Sequence, residues 1–178
     1  MKTAITTLVA IALAGCAGLG QQTRPPSILV DLDPASVDRT VIIESITASR
    51  DGLLYVADRV SGNVMRIDPG KPQPVVVGRI GARQVNGQNT APNPSGMVFN
   101  AQGDLLIGAS AFGEVVRLRA AELDPARPGV AQTFATGVPG ANGVEIDRQG
   151  RLYISGGASG NIFRVGPNGG AAETVATV

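Results

Sequence analysis

Three stretches decide the fold: ESITASRDGLLYVADRVSGNVMRI at 44–67, SGMVFNAQGDLLIGASAFGEVVRL at 95–118 and NGVEIDRQGRLYISGGASGNIFRV at 142–165. They align without a gap, at offsets of 51 and 47 residues. Four columns are identical in all three copies: Gly52, Gly103 and Gly150; Leu54, Leu105 and Leu152; Gly62, Gly113 and Gly160; Arg66, Arg117 and Arg164. Each copy follows one grammar. A short run ends at Asp51-Gly52, Gln102-Gly103 or Gln149-Gly150, pairs suited to a tight turn in which Gly takes positive φ. An apolar run follows, then a second Gly turn, then NVMRI, EVVRL or NIFRV, and a last run at 74–80, 131–136 or 171–177 closes the unit. The spacing predicts four-stranded meanders. The second runs are apolar on both faces, as in sheets covered on both sides.

A period near 50 with four strands per repeat points to an all-β chain of β-propeller blades at approximately 44–80, 95–137 and 142–177. The absence of Trp argues against WD40 repeats, and a paired Gly only at Gly156-Gly157 argues against kelch. The segment 27–32 reads as one more strand, the N-terminal closing strand of a last blade whose remainder is missing. Three blades leave two apolar sheet faces in water. The expectation is therefore the first half of a six-bladed protein truncated at its C-terminus, with the propeller region at 27–178. The alternative is two such chains paired to make six blades.

Composition narrows the chemistry. The 178 residues include 24 Gly and 12 Pro, one Cys, no Trp and no His. Without His and with a single Cys, zinc fingers, His-assisted Ser or Cys triads and an intrachain disulfide are excluded. Fifteen basic against fourteen acidic residues, scattered along the chain, give a net charge of +1. No electrostatic footprint for nucleic acid results.

The chain opens on Met1-Lys2 and an apolar stretch at 4–13, too short to span a membrane, which reads as a signal peptide at 1–15. Leu13-Ala14-Gly15-Cys16 resembles the bacterial lipobox, which implies lipidation of Cys16; an ordinary secretory leader is the other reading. The segment 16–26, small and polar and ending in Pro25-Pro26, reads as a tether. Together these imply a cell-envelope protein anchored by lipid alone, at the outer membrane or periplasmic face in a Gram-negative cell.

The repeats resemble those of the SMP-30/gluconolactonase/LRE-like family of six-bladed propellers, with a weaker likeness to NHL-type propellers. The resemblance implies a divalent metal, usually calcium, at the top of the channel. Its ligands come from just before the innermost strand of successive blades. The matching positions are Glu44 in Glu44-Ser45-Ile46, Ser95 in Pro94-Ser95-Gly96 and Asn142 in Ala141-Asn142-Gly143. Ser95 departs from the family's Asn and would act through water. The family's next ligand, an Asp also proposed as the base, would lie beyond Val178. The column logic is independent of the family, since equivalent positions converge on the propeller axis, and a carboxylate and an amide are oxygen ligands that calcium accepts. A bound metal would polarise a lactone carbonyl. Equally, Asn before Gly is a common turn pair and a strand-start Glu is often only solvated.

Two functions follow: a metal-dependent lactone or ester hydrolase acting on a small molecule at the channel mouth, and a non-catalytic binding or scaffold propeller. The remaining features read as structural. The recurrent Arg66, Arg117 and Arg164 suggest inter-blade hydrogen bonds, Asp58 a turn acid, and 83–93 a long polar loop near the top face that either covers a ligand mouth or is plain surface. Gly156 to Gly160 imitates a phosphate loop, but no helix follows it.

Overall fold

The computed structural model describes residues 25–34 and 40–177. The leader, Cys16 and all of the tether except Pro25 and Pro26 lie outside the described residues. Three sheets and one hairpin account for the strands. In chain order these are β1 (Ile43–Ala48), β2 (Leu54–Asp58), β3 (Asn63–Asp68) and β4 (Lys71–Arg79); β5 (Arg83–Val85) and β6 (Gln88–Thr90); β7 (Pro94–Phe99), β8 (Leu105–Ala109), β9 (Glu114–Leu118), β10 (Gly129–Val130) and β11 (Gln132–Thr136); β12 (Val144–Ile146), β13 (Leu152–Ser155), β14 (Asn161–Val165), β15 (Gly170–Ala171) and β16 (Glu173–Thr177). Each blade is an antiparallel meander, β1-β2-β3-β4, then β7-β8-β9-β11, then β12-β13-β14-β16.

The first turn of every blade has one geometry. The N–H of Gly52, Gly103 and Gly150 donates to the carbonyl three residues earlier, Ser49, Asn100 and Asp147. Their φ values of 84°, 82° and 78° lie in the left-handed region that disfavours any side chain. Asn100 Oδ1 and Asp147 Oδ1 each accept two further backbone N–H groups within their own turns. The columns of identical Gly are thus columns of identical turns.

Alternation across the middle strands builds the core between blades. In β8, Leu105 and Ile107 pack with Tyr55, Ala57 and Val64 of the first blade, whereas Leu106 packs with Leu152 and Ile154 of the third. In β9, Val116 and Leu118 face the first blade and Val115 the third. The central sheet is therefore buried on both faces, which explains why β8, at its middle, is an uninterrupted apolar run, LLIGA.

Adjacent blades are also joined through the backbone, by a device not evident from the repeats. The two-residue β10 runs parallel to the end of β4, pairing Gly129 with Gly78 and Val130 with Arg79. The two-residue β15 does the same to β11, pairing Gly170 with Ala135 and Thr136 with Ala171. Ala131 N–H then donates to Arg79 O, and Ala172 N–H to Thr136 O, both at 2.9 Å. The second and third blades thus each lend one short bridge to the outer strand of the blade before it.

Three expectations need correction. First, 27–32 forms no strand. Val30 and Leu32 instead lie with Val41 and Ile43 over Val56, Met65 and Ile67 on the first sheet's outward face, where burying apolar surface outweighs pairing a lone strand. Second, 83–93 is not simply a loop: β5 and β6 pair across Asn86-Gly87, whose φ values of 50° and 78° make the two-residue turn that Asn-Gly favours. Third, the recurrent Arg residues reach partners within their own blades. Arg117 approaches Asp104 at 3.7 Å and lies over the Phe134 ring, Arg164 donates to Glu173 at 2.8 Å, and Arg66 stands directly across from Tyr55 in the β2-β3 ladder. A third-strand Arg is flanked by the second and fourth strands of its own sheet, which are nearer than the next blade.

The β5-β6 hairpin is clipped to the second blade. Arg83 donates to Glu114 at 2.7 Å and lies over the Phe112 ring, while Thr133 Oγ1 donates to the same carboxylate oxygen. Glu114→Ala is expected to lower stability by about 1 kcal/mol, read as a shift of the urea midpoint at unchanged m-value.

Candidate functional site at the axial end of the blades

Glu44, Ser95 and Asn142 line one shallow cleft of about 250 Å³, with Arg59, Ser110, Gly157, Gly140 and Ala141. Glu44 is the second residue of β1 and Ser95 the second of β7, and Asn142 stands two residues before β12. The inner strands meet closely there. Gly96 N–H donates to Asn142 O at 2.6 Å, and a Cβ on Gly96 would stand 2.4 Å from that oxygen.

A second repeat column completes the cleft. Arg59, Ser110 and Gly157 are 51 and 47 residues apart, the same offsets as the first column. Each sits at the turn between the second and third strands of its blade. Sequence reasoning weighed only the first column, although the shared offsets were present in the aligned repeats. Only the first blade brings a charged side chain at the second column.

Asp58 anchors that turn. It is 4% exposed, and its carboxylate accepts from the backbone N–H groups of Ile42, Val60 and Ser61 and from the Ser61 hydroxyl. Burial pushes the carboxyl up, but these four bonds to the ionised form outweigh it and hold Asp58 below its ordinary value. The reading of Asp58 as a turn acid holds, and its reach to Ile42 also ties the turn to the entry of β1. Arg59 N–H donates to Ile42 O at 2.8 Å beside it.

From this fixed base the Arg59 side chain enters the cleft. One terminal nitrogen forms an ion pair with Glu44, and Nε donates to Asn93 Oδ1 at 2.6 Å. Asn93 has a φ of 53° and its carbonyl accepts from the Ser110 hydroxyl at 2.9 Å. The β5-β6 hairpin itself contributes no residue to the cleft lining.

The expected divalent-metal ligands can be tested against this arrangement. Glu44 carries the Arg59 guanidinium. Ser95 is 3% exposed, and its hydroxyl is directed at two backbone carbonyls, Ala141 O at 2.7 Å and Gly108 O at 3.2 Å. Asn142 is exposed at the cleft. Calcium takes about six to eight oxygen ligands, and among the described residues no three acidic, His or Cys side chains cluster as a metal site. The donor set as arranged does not fit a divalent cation, because the one carboxylate already holds a cation of the protein's own.

No family model and no curated protein matches the sequence. Solved structures do match. The luciferin-regenerating enzyme superposes with a TM-score of 0.60 at 15% identity, covering 84% of this chain and 50% of that one. A nidogen/laminin complex gives 0.58 at 17% identity, covering 76% and 48%. Virginiamycin B lyase from Staphylococcus aureus gives 0.53 at 12% identity, covering 74% and 40%. These neighbours are β-propellers. The chain has the β-propeller fold. It spans two fifths to one half of the length of these structures. The neighbours include a lyase, a luciferin-regenerating enzyme and a nidogen/laminin complex, so the shared fold leaves the chemistry to the cleft.

Proposed function

We propose that this chain supplies the first half of a six-bladed cell-envelope propeller, held by lipid at Cys16, whose axial cleft binds a small polar molecule. The observation that carries the reading is the convergence of two repeat columns, Glu44/Ser95/Asn142 and Arg59/Ser110/Gly157, on one cleft. A carboxylate, a guanidinium and an amide around a concave opening are the few convergent polar groups that fix a small ligand. The lining contains no large apolar side chain, so a polar ligand fits better than a greasy one.

The test is a set of amide chemical-shift titrations with small lactones, their hydroxy-acid products and polyols. Shifts are expected to cluster at 44, 59, 95, 110, 140–142 and 157. Shifts centred elsewhere, or none across the set, would contradict the reading. In the expected case, Asn142→Ala weakens the binding probe about tenfold, the equivalent of one lost hydrogen bond of about 1.4 kcal/mol.

A hydrolytic second reading, with a lactone as the ligand, draws support from Asn142. Its exposed amide can donate to a carbonyl oxygen, the role of an oxyanion donor. Under that reading a lactone that binds is also opened, as base uptake in a pH-stat would show. Binding without turnover favours the non-catalytic propeller.

A further inference from the structure

We propose that Arg59 is the resident cation of the axial cleft: it occupies the side of Glu44 that a metal ion would need, and it makes the cleft a receptor for carboxylate or carbonyl oxygens that works without a divalent metal. This rests on the ligand-binding reading above and names the ligand chemistry of that same cleft.

Three observations carry the inference. The first is singularity within a repeat. The Arg59 column holds Ser110 and Gly157 in the other blades, so the turn itself does not require a large cation. The second is rigid placement. The turn is pinned by the four bonds to Asp58, and the guanidinium is held from two sides, by Glu44 of β1 and by Asn93 ahead of β7. A cation fixed by two different blades is pre-organised at the seam between them. The third is residual donor capacity. A guanidinium has five N–H donors, and these two contacts use only one terminal nitrogen and Nε. The other terminal nitrogen belongs to a side chain that lines the cleft together with the exposed Asn142. A planar donor pair that shares a cleft with an amide suits an sp² oxygen acceptor.

Calcium titration of the full chain, followed by calorimetry and by melting temperature, separates the alternatives. Extracellular calcium modules bind at about 10⁻⁴–10⁻³ M, so titration to about 5 mM reaches saturation for a site of that class. The wild type is expected to give only dilution heats and one melting temperature in calcium and in chelator. Arg59→Gln, which releases Glu44, is expected to gain saturable binding that Glu44→Gln on the same background removes. Saturable wild-type binding that is lost in Glu44→Gln overturns the inference, and so does an Arg59→Gln protein that folds and binds no better than wild type. The wild-type titration decides even where a variant fails to fold. Calcium binding by the wild type would overturn the role of Arg59 while leaving the small-molecule reading standing, whereas failure of that reading shows in the chemical-shift titrations.

Discussion

Asp58→Ala is expected to destabilise the chain by about 3 kcal/mol, the loss for leaving several backbone donors of a buried turn without an acceptor. The four donors to this carboxylate come from Ile42, Val60 and twice from Ser61, so the substitution loosens both the β2-β3 turn and the entry of β1. Asp58→Asn retains one acceptor oxygen and is expected to lose about half as much. The pH dependence has a definite sign. Because the folded carboxyl titrates below its ordinary value of 3.8, its contribution is fully present above that value and is lost as pH falls through the lower folded value. Urea midpoints of wild type and Asp58→Ala are therefore expected to differ most near neutrality and to converge in acid. A gap that stays constant into acid would show that the ionised carboxylate is not what holds the turn.

Gly96→Ala is expected to be comparably damaging, by about 3 kcal/mol, at the upper end of overpacking effects. The added Cβ would stand 2.4 Å from Asn142 O, 2.6 Å from Val144 N and 3.0 Å from Gly143 C. All three are backbone atoms of the third blade's inner strand or its entry, so no side chain can turn aside to make room. The same contact carries the 2.6 Å hydrogen bond from Gly96 to Asn142. The third blade is expected to separate from the second at the axis, read as loss of amide protection along β12 and β13 before the rest of the chain. Gly81→Ala, where an added Cβ meets nothing within 4 Å, is the matched comparison and is expected to change stability by less than about 0.5 kcal/mol. Equal effects at the two positions would contradict the close inner-strand contact.

The repeat made the blades legible because each one needs the same two backbone reversals, and only Gly meets the positive φ at Gly52, Gly103 and Gly150 without strain. The convergence of Glu44, Ser95 and Asn142 followed from the same symmetry, since equivalent positions must share a distance from the axis. What those side chains do there was not legible. The engagement of Glu44 depends on Arg59, and that of Ser95 on the carbonyls of Ala141 and Gly108. Such contacts join residues that share no local pattern. Arg59 carried no repeat signal, because its column changes type, running Arg, Ser, Gly across the blades. The parallel bridges β10 and β15 are two residues long, too short for any periodicity to register. The hairpin at Asn86-Gly87, in contrast, carried a readable turn signal that the polar flanks obscured. For 27–32, the apolar residues predicted a strand, but the structure uses Val30 and Leu32 as cover for a sheet face, a choice that depends on which edges are open.

The claim on which the cleft depends is that the inner strands of successive blades touch at one axis. The most direct test is a nuclear Overhauser experiment on isotope-labelled full chain, read between the Gly96 α-protons and the Val144 amide. The Cβ direction at Gly96 points at Val144 N, so a strong cross-peak between these residues, far apart in sequence, is the expected result. A spectrum in which Gly96 is well resolved but shows contacts only along and across its own blade would contradict the account.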